Sequence, residues 1–413
     1  MNAFMRTANG ADAVASGVRF AAGPVARVDI IDDIAAAEPV WRGLEIGGAI
    51  ATPYQRFDFI APWQRHVGCR QGVRPFLVVG SDARGTPLFL LPLGRTRHGP
   101  LDVLGFLGGK HANFNVALWR RDVAAALDRD AMETILAMVR EAGRGADLLM
   151  LTNQPLRWDG VANPLATLRH QPSPSFACRG ALAHDFSALV DARLSGAQRK
   201  KLRKKERALA GRQPIRYWRA ETADDALRVL DVFFAQKAER MAELGLADAF
   251  AAPGMREFIT AAATAELATG RPAIELYAAS VGDTILATYG GVVGNGRFSG
   301  IFNSMILNEL VHESPGQLLQ FNLVRMCCER GLTTFDLGVG EAAFKQLFCN
   351  EPEPLFDSFL PLTPAGQLAA SACRLQFALK RRIKRSPPVW ATVRAVRRRL
   401  AGRRSVRRGP FGV

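Results

Sequence analysis

Two stretches of this 413-residue chain, residues 76–152 and 274–337, carry the same order of local signals. Each opens with two apolar runs joined by a short polar turn. The first runs from Arg74 to Leu93 through Ser81-Asp82-Ala83-Arg84-Gly85, the second from Ile274 to Val293 through Ser280-Val281-Gly282-Asp283. Both read as β-hairpins. A third apolar strand follows (101–109 and 298–304), then a helical period (124–142 and 314–330), then a short strand (147–152 and 333–337). A helix placed between two strands of one sheet delivers the chain to a parallel neighbour. The pattern therefore predicts an internal duplication: two tandem α/β (α+β) domains with mixed, mostly antiparallel sheets flanked by helices. The length suits two domains.

Around this frame the chain divides into a flexible N-terminus over 1–24, a first domain over 25–176, a second over 177–360, and a basic tail over 361–413. A Pro-rich stretch, 154–175, marks the boundary between the domains. Residues 52–67 are dense in aromatics, among them Tyr54, Phe57, Phe59 and Trp63, and read as core. Helical periods are expected at 35–47, 222–246, 253–268 and 365–383. The net charge of +16 is unevenly spread. After Asp357 come 14 Lys or Arg and no acidic residue; the rest of the chain is close to neutral. The tail at 389–400 reads either as a disordered basic segment or as an amphipathic helix lying on an anionic membrane surface.

The six cysteines show no CxxC spacing and read as reduced thiols. The first 20 residues lack a continuous apolar run, and no stretch is long and apolar enough to span a bilayer. The expected setting is cytoplasmic, peripheral at the inner membrane face if the tail binds there. Motifs for zinc proteases, serine-hydrolase elbows and nucleotide-hydrolysing P-loops do not occur, and no metal site is expected.

Chemistry concentrates in Ser314–Phe348. Ser314 stands where a helix N-cap belongs and Pro315 at the first helical position. Gly316 admits a ligand to the backbone, and Gln317 and Leu318 would add N–H groups, a start suited to binding phosphate. Gly331 fits a left-handed helix end. Asp336 and Glu341 offer a base or an amine-orienting carboxylate, although Asp336 could equally cap backbone N–H groups. Lys345 could hold a phosphate or pair with Glu341. His312 and Asn303 are substrate-side candidates, with Lys110, His111 and Asn113 as weaker acceptor-side contacts from the first domain. A helix at 195–209 is densely basic: eight of residues 193–207 are Lys or Arg. It reads as a solvated junction helix or as a clamp for a phosphate-bearing ligand.

These motifs resemble the CelD-like group of the GNAT superfamily of acetyltransferases. The resemblance is carried by Ser314-Pro315-Gly316-Gln317-Leu318-Leu319, Glu329-Arg330-Gly331-Leu332, Phe335-Asp336-Leu337-Gly338-Val339-Gly340-Glu341 and Phe344-Lys345-Gln346-Leu347-Phe348. Upstream, Trp41–Leu44, Thr52-Pro53-Tyr54-Gln55 and Trp63 are similar to the family's N-terminal pattern. Phe344 stands where the family usually has a tyrosine. The resemblance implies a double GNAT fold like that of Fem-type aminoacyltransferases. It implies acyl transfer, with acetyl-CoA or another acyl-CoA as co-substrate, to an amine or hydroxyl of a small molecule or saccharide, in some relatives linked to exopolysaccharide or cellulose. The cofactor belongs on the second domain, because the first copy lacks the Ser-Pro-Gly start. Two other readings stay open: Fem-like transfer from aminoacyl-tRNA, nucleic acid otherwise not being an expected partner, and a non-catalytic partner of polysaccharide machinery at a membrane surface.

Overall fold

The structure, a computed structural model, describes residues 18–386 apart from Arg144, Phe176, Arg212 and 341–346. Two mixed sheets carry the fold, and helices flank them. From edge to edge the first sheet holds Val18–Ala22, Val25–Ile31, Arg74–Ser81, Pro87–His98, Leu101–Phe106, Leu148–Pro155, Leu355–Pro361 and Gln171–Pro172, with Leu118–Trp119 added beside Pro87–His98. The second holds Ile215–Arg219, Glu275–Val281, Thr284–Gly294, Arg297–Met305, Thr334–Val339, Ala177–Ala181 and Glu351–Glu353.

The duplication is plain in the pairing. In each sheet one strand is parallel to its neighbour, across the crossover helix: Val103 and Leu104 pair with Leu148 and Leu149, and Arg297–Ser299 pair with Thr334–Asp336. The plan also reaches further upstream than the sequence signals did. Val25–Ile31 leads through helices Ile34–Ile46 and Phe57–Trp63 into the first hairpin. Ile215–Arg219 leads through Ala223–Glu243 and Met255–Thr264 into the second.

Three expectations change. The strand Leu355–Pro361 pairs with Leu148–Pro155, so the second half gives up these residues to the first sheet. Their alternating apolar side chains, Leu355, Phe359 and Leu360 among them, are buried there. Residues 18–22, expected in a flexible lead, form an edge strand against Val25–Ile31. The helix expected over 124–142 is two, Arg121–Ala126 and Arg129–Ala142, because Asp128 caps a new start by accepting the Ala131 N–H at 2.9 Å.

The halves share an apolar core. Tyr54, Phe59, Ile60 and Trp63 are at most 2% exposed, as the aromatic density implied. Phe59 meets Phe258 of the other half edge-on, ring centroids 5.2 Å apart. A second core lies under the helix Pro315–Glu329, around Leu319, Leu323, Phe298 and Phe335. Cys327, Cys328 and Cys349 are buried thiols, while Cys69 is exposed.

Candidate active site between the halves

The crossover helix Pro315–Glu329 starts in an unusual way. Ser314 adopts a left-handed conformation (φ 55°, ψ 58°) and makes no side-chain cap, which corrects the N-cap reading. A capping serine needs extended backbone to turn its hydroxyl onto the first turn. Here the Ser314 Oγ instead accepts from Lys205 Nζ at 2.6 Å. The Gln317 and Leu318 N–H groups, expected to face a ligand, donate to the Ser314 carbonyl at 2.9 and 3.2 Å. Pro315 has no N–H. Among the described residues, the Gly316 N–H is thus the first-turn donor without a partner, at the positive end of the helix dipole. A Cβ on Gly316 would lie 3.4 Å from Met305 Sδ, so the glycine abuts the end of strand Arg297–Met305.

Lys205 is positioned by the basic helix Gly196–Ala210. A reciprocal capping box, Ser195 with Gln198, starts that helix, and Leu202 and Leu209 anchor it. Burial, and then Lys201 one turn away, hold the Lys205 ammonium below its usual pKa, with Glu313 opposing. A cation under such tension gains from an added anion.

The strand that ends against Gly316 parts from its parallel neighbour earlier in its course. Arg297–Met305 stays parallel to Thr334–Val339 only through Ser299. At Gly300 the chains still touch: a Cβ there would lie 3.5 Å from Leu337 Cα. Beyond it, one strand keeps to Thr284–Gly294 and the other to Ala177–Ala181. A β-bulge at Ile301 sharpens the bend, since Gly290 and Gly291 face Phe302 and Gly300.

A cavity of about 220 Å³ opens between the halves at this bulge. Ile301, Phe302, Phe250 and Phe258 line it from the second half, and Phe59, Lys110, His111 and Asn113 from the first. Trp63 Nε1 donates to His111 Nδ1 at 3.0 Å. Indole nitrogen only donates, so Nδ1 is unprotonated and the neutral ring carries its proton on Nε2. Burial, then Lys110, push the His111 pKa down to about 4. Asn113 reaches the parted strand itself. Its Nδ2 donates to the Tyr54 hydroxyl at 2.8 Å, and its Oδ1 accepts the Val339 N–H at 3.4 Å. Gly338 (φ 72°) admits this contact, because a Cβ there would collide with the Asn113 amide.

The structure removes Asp336 from the catalytic set. It has no exposed surface, and Arg297 Nε (2.6 Å), the Ser299 hydroxyl and the Gly338 N–H (2.8 Å) occupy its carboxylate. Arg297 also donates to both oxygens of Glu353, at 3.0 and 2.5 Å, and stacks on Phe114 and Trp158. This buried trio ties three strands together. Glu341 and Lys345 lie outside the described residues. His312 sits exposed on the turn Glu309–Glu313, beside the helix start but not in the cavity. The Asn303 carbonyl accepts from Lys237 Nζ at 3.4 Å. Sequence reasoning missed Lys205 as the partner of Ser314 and underweighted His111. The signal for the latter was there: Gly108-Gly109, both with positive φ, followed by polar residues ahead of an apolar run.

Residues 196–346 match the family described as acetyltransferase (GNAT) domain. The second half thus carries a GNAT-type acetyltransferase domain. No curated protein matches the chain. Among solved structures, the chain is similar to FemX (TM-score 0.51, 11% identity, covering 76% of this chain and 93% of that one). It is also similar to a conserved protein of unknown function from Bacteroides thetaiotaomicron (TM-score 0.50, 9% identity, 80% and 99%). A tandem GNAT protein from the clavulanic acid biosynthesis pathway gives a TM-score of 0.41 at 11% identity over 82% and 99%. For FemX and the Bacteroides protein, at these identities, the likeness is one of fold.

Proposed function

We propose that this protein moves an acyl group, acetyl in the simplest case, from acyl-CoA to an amine or hydroxyl acceptor held between its two halves. The observation that carries the reading is the open start of helix Pro315–Glu329. The partnerless Gly316 N–H, the dipole and the Lys205 ammonium converge at the far end of the strand that parts from its neighbour. That arrangement suits a pyrophosphate, and the gap between the strands suits an extended arm. Acyl-CoA supplies the activated thioester. The chain's part is to hold its phosphates, to fix the acyl end near the Ile301 bulge, and to bring the acceptor within reach. The apolar cavity walls exclude water from that meeting point. Neutral His111, with its proton on Nε2, donates to an acceptor oxygen and does not take a proton from it. The acceptor's nitrogen or oxygen forms the new bond to the acyl carbon as the thioester C–S bond breaks; its proton passes to a base, for which Glu341 is the candidate, and CoA leaves as the protonated thiol. The CelD-like grouping, a saccharide acceptor, a role in polysaccharide synthesis and a cytoplasmic setting belong to this reading as proposals.

A thermal-shift series with CoA, acetyl-CoA and longer acyl-CoA esters tests it. At a hundredfold excess over Kd, binding raises the melting temperature by about 3 °C. No shift with any CoA ester overturns the reading. A second reading, aminoacyl-tRNA as donor, is favoured by the exposed Lys200, Lys201, Arg203, Lys204 and Arg207 beside the same helix start. It requires tRNA binding that weakens steeply with salt, without any CoA-induced shift.

A further inference from the structure

The helix Pro364–Arg385 shows a feature that acyl transfer does not use. It is clamped to the first sheet. Ala370, Cys373 and Phe377 pack against Val103, Leu148 and Phe359. Arg374 donates to the Phe359 carbonyl at 2.6 Å, Arg381 to the Pro172 carbonyl at 3.2 Å, and Lys384 to the Ser175 hydroxyl at 2.5 Å. A Cβ on Gly366 would collide with the Asp147 carbonyl, so the helix cannot sit closer. Yet Leu368, Leu375 and Leu379 are 77%, 73% and 56% exposed. At about 100° per residue they share an arc of roughly 40°, directly opposite Ala370 and Phe377. Eight large apolar side chains are exposed among the described residues, and three of them form this one row. Single exposed leucines are ordinary; a row on a fixed helix marks a surface that is covered in use.

Charge decides what covers it. Arg382 and Arg385 are exposed beside the leucines, and a shallow groove runs between Leu375, Leu379, Arg382 and Arg385. The chain's remaining residues, 387–413, hold eight arginines and no acidic residue, so they are repelled from this groove. A second copy would bring the same charges to the same place. The occupant is therefore anionic around an apolar interior. We propose that the helix Pro364–Arg385 docks the protein on an anionic lipid bilayer, with Leu368, Leu375 and Leu379 in the acyl boundary and Arg382 and Arg385 among the headgroups. The sequence reading placed such a surface at 389–400, outside the described residues; the structure assigns it to the helix before.

Co-sedimentation of the full chain with vesicles tests this. Phosphatidylcholine vesicles with about one third phosphatidylglycerol should bind it, and pure phosphatidylcholine vesicles far less. Leu375→Asp with Leu379→Asp should weaken binding more than tenfold, with the melting temperature kept because both side chains are exposed. Replacing Arg382 and Arg385 by Gln should cost about fivefold per charge. Equal binding to both vesicle types overturns the proposal, as does no binding to either. Wild-type binding by the double Asp variant moves the contact to 387–413 and also overturns it. So does a dimer in light scattering that the Asp variant converts to monomer, which would give the row to a second copy.

Discussion

The two crossover helices occupy the same place in the two halves, and they begin in opposite ways. Arg129–Ala142 starts from Asp128 in extended backbone, whose carboxylate accepts the Ala131 N–H, with Asp130 in the first turn. Its positive end is already filled by the chain's own negative charge. Pro315–Glu329 starts from a left-handed Ser314 with no cap and no acid in its first turn, and a lysine from another helix stands over it. One copy of the plan closed its helix start for stability. The other left it open, with a bare N–H at the positive end of the dipole, the kind of start that suits an anion. The duplication thus yields one closed and one open helix start, while His111 and Asn113 of the first half line the cavity at the Ile301 bulge.

The comparison can be pressed in order of expected effect. The second sheet is pinned at its parallel junction by Arg297, Asp336 and Glu353, where the first uses Val103, Leu148 and Phe359. Arg297→Met leaves two buried carboxylates unpaired and should cost about 3–5 kcal/mol in urea unfolding. A loss below about 1 kcal/mol would mean the trio is no pin. Lys205→Ala should weaken CoA binding about tenfold and flatten its salt dependence, as expected for one charge-assisted contact. Unchanged affinity would detach the basic helix from the site.

The pH response of His111 comes next. Its folded pKa, near 4, lies below the unfolded value of about 6.5, so the unfolded chain binds the extra proton between them. The neutral ring's contribution is whole above pH 6.5 and is lost as pH falls towards 4. Asp357, raised by burial to about 6, pulls the other way, so the comparison is with His111→Gln. That variant should lose less stability than wild type between pH 7 and pH 5, a difference of about 2 kcal/mol. Identical pH profiles would show that His111 is not held neutral. Smallest is the cap swap. Asp128→Ala should cost about 1 kcal/mol, and Ser314→Ala in a Lys205→Ala background, where the Lys205 bond is already gone, only a few tenths, since no cap is lost. Equal costs would erase the contrast between the two starts.

Most of the frame could be read from the sequence, because hairpin turns and helical periods are local. The paired hairpins and the strands Leu101–Phe106 and Arg297–Met305 fall where apolar runs placed them. Gly331 takes its left-handed conformation (φ 73°) directly after the helix. What sequence did not show depends on distant partners. Leu355–Pro361 looks the same whichever sheet it joins, and only its pairing with Leu148–Pro155 decides. Asp336 in a Phe-Asp-Leu-Gly run is as apt for a base as for an ion pair until Arg297 is seen beside it. Ser314 looked like a cap by its position, but Lys205, 109 residues earlier, claims its hydroxyl.

The central claim is that an acyl-CoA phosphate sits at the start of Pro315–Glu329 and not at the matching start of Arg129–Ala142. Calorimetric titration of acetyl-CoA into two variants, Gly316→Arg and Asp130→Arg, tests it directly. Gly316 has ordinary backbone and only flexible Met305 close by, so the fold should tolerate the change while the arginine fills the site. Gly316→Arg should bind at least about a hundredfold more weakly, the loss of a whole phosphate cradle, and Asp130→Arg should bind like wild type. Wild-type affinity in Gly316→Arg, or its loss in Asp130→Arg, would contradict the account.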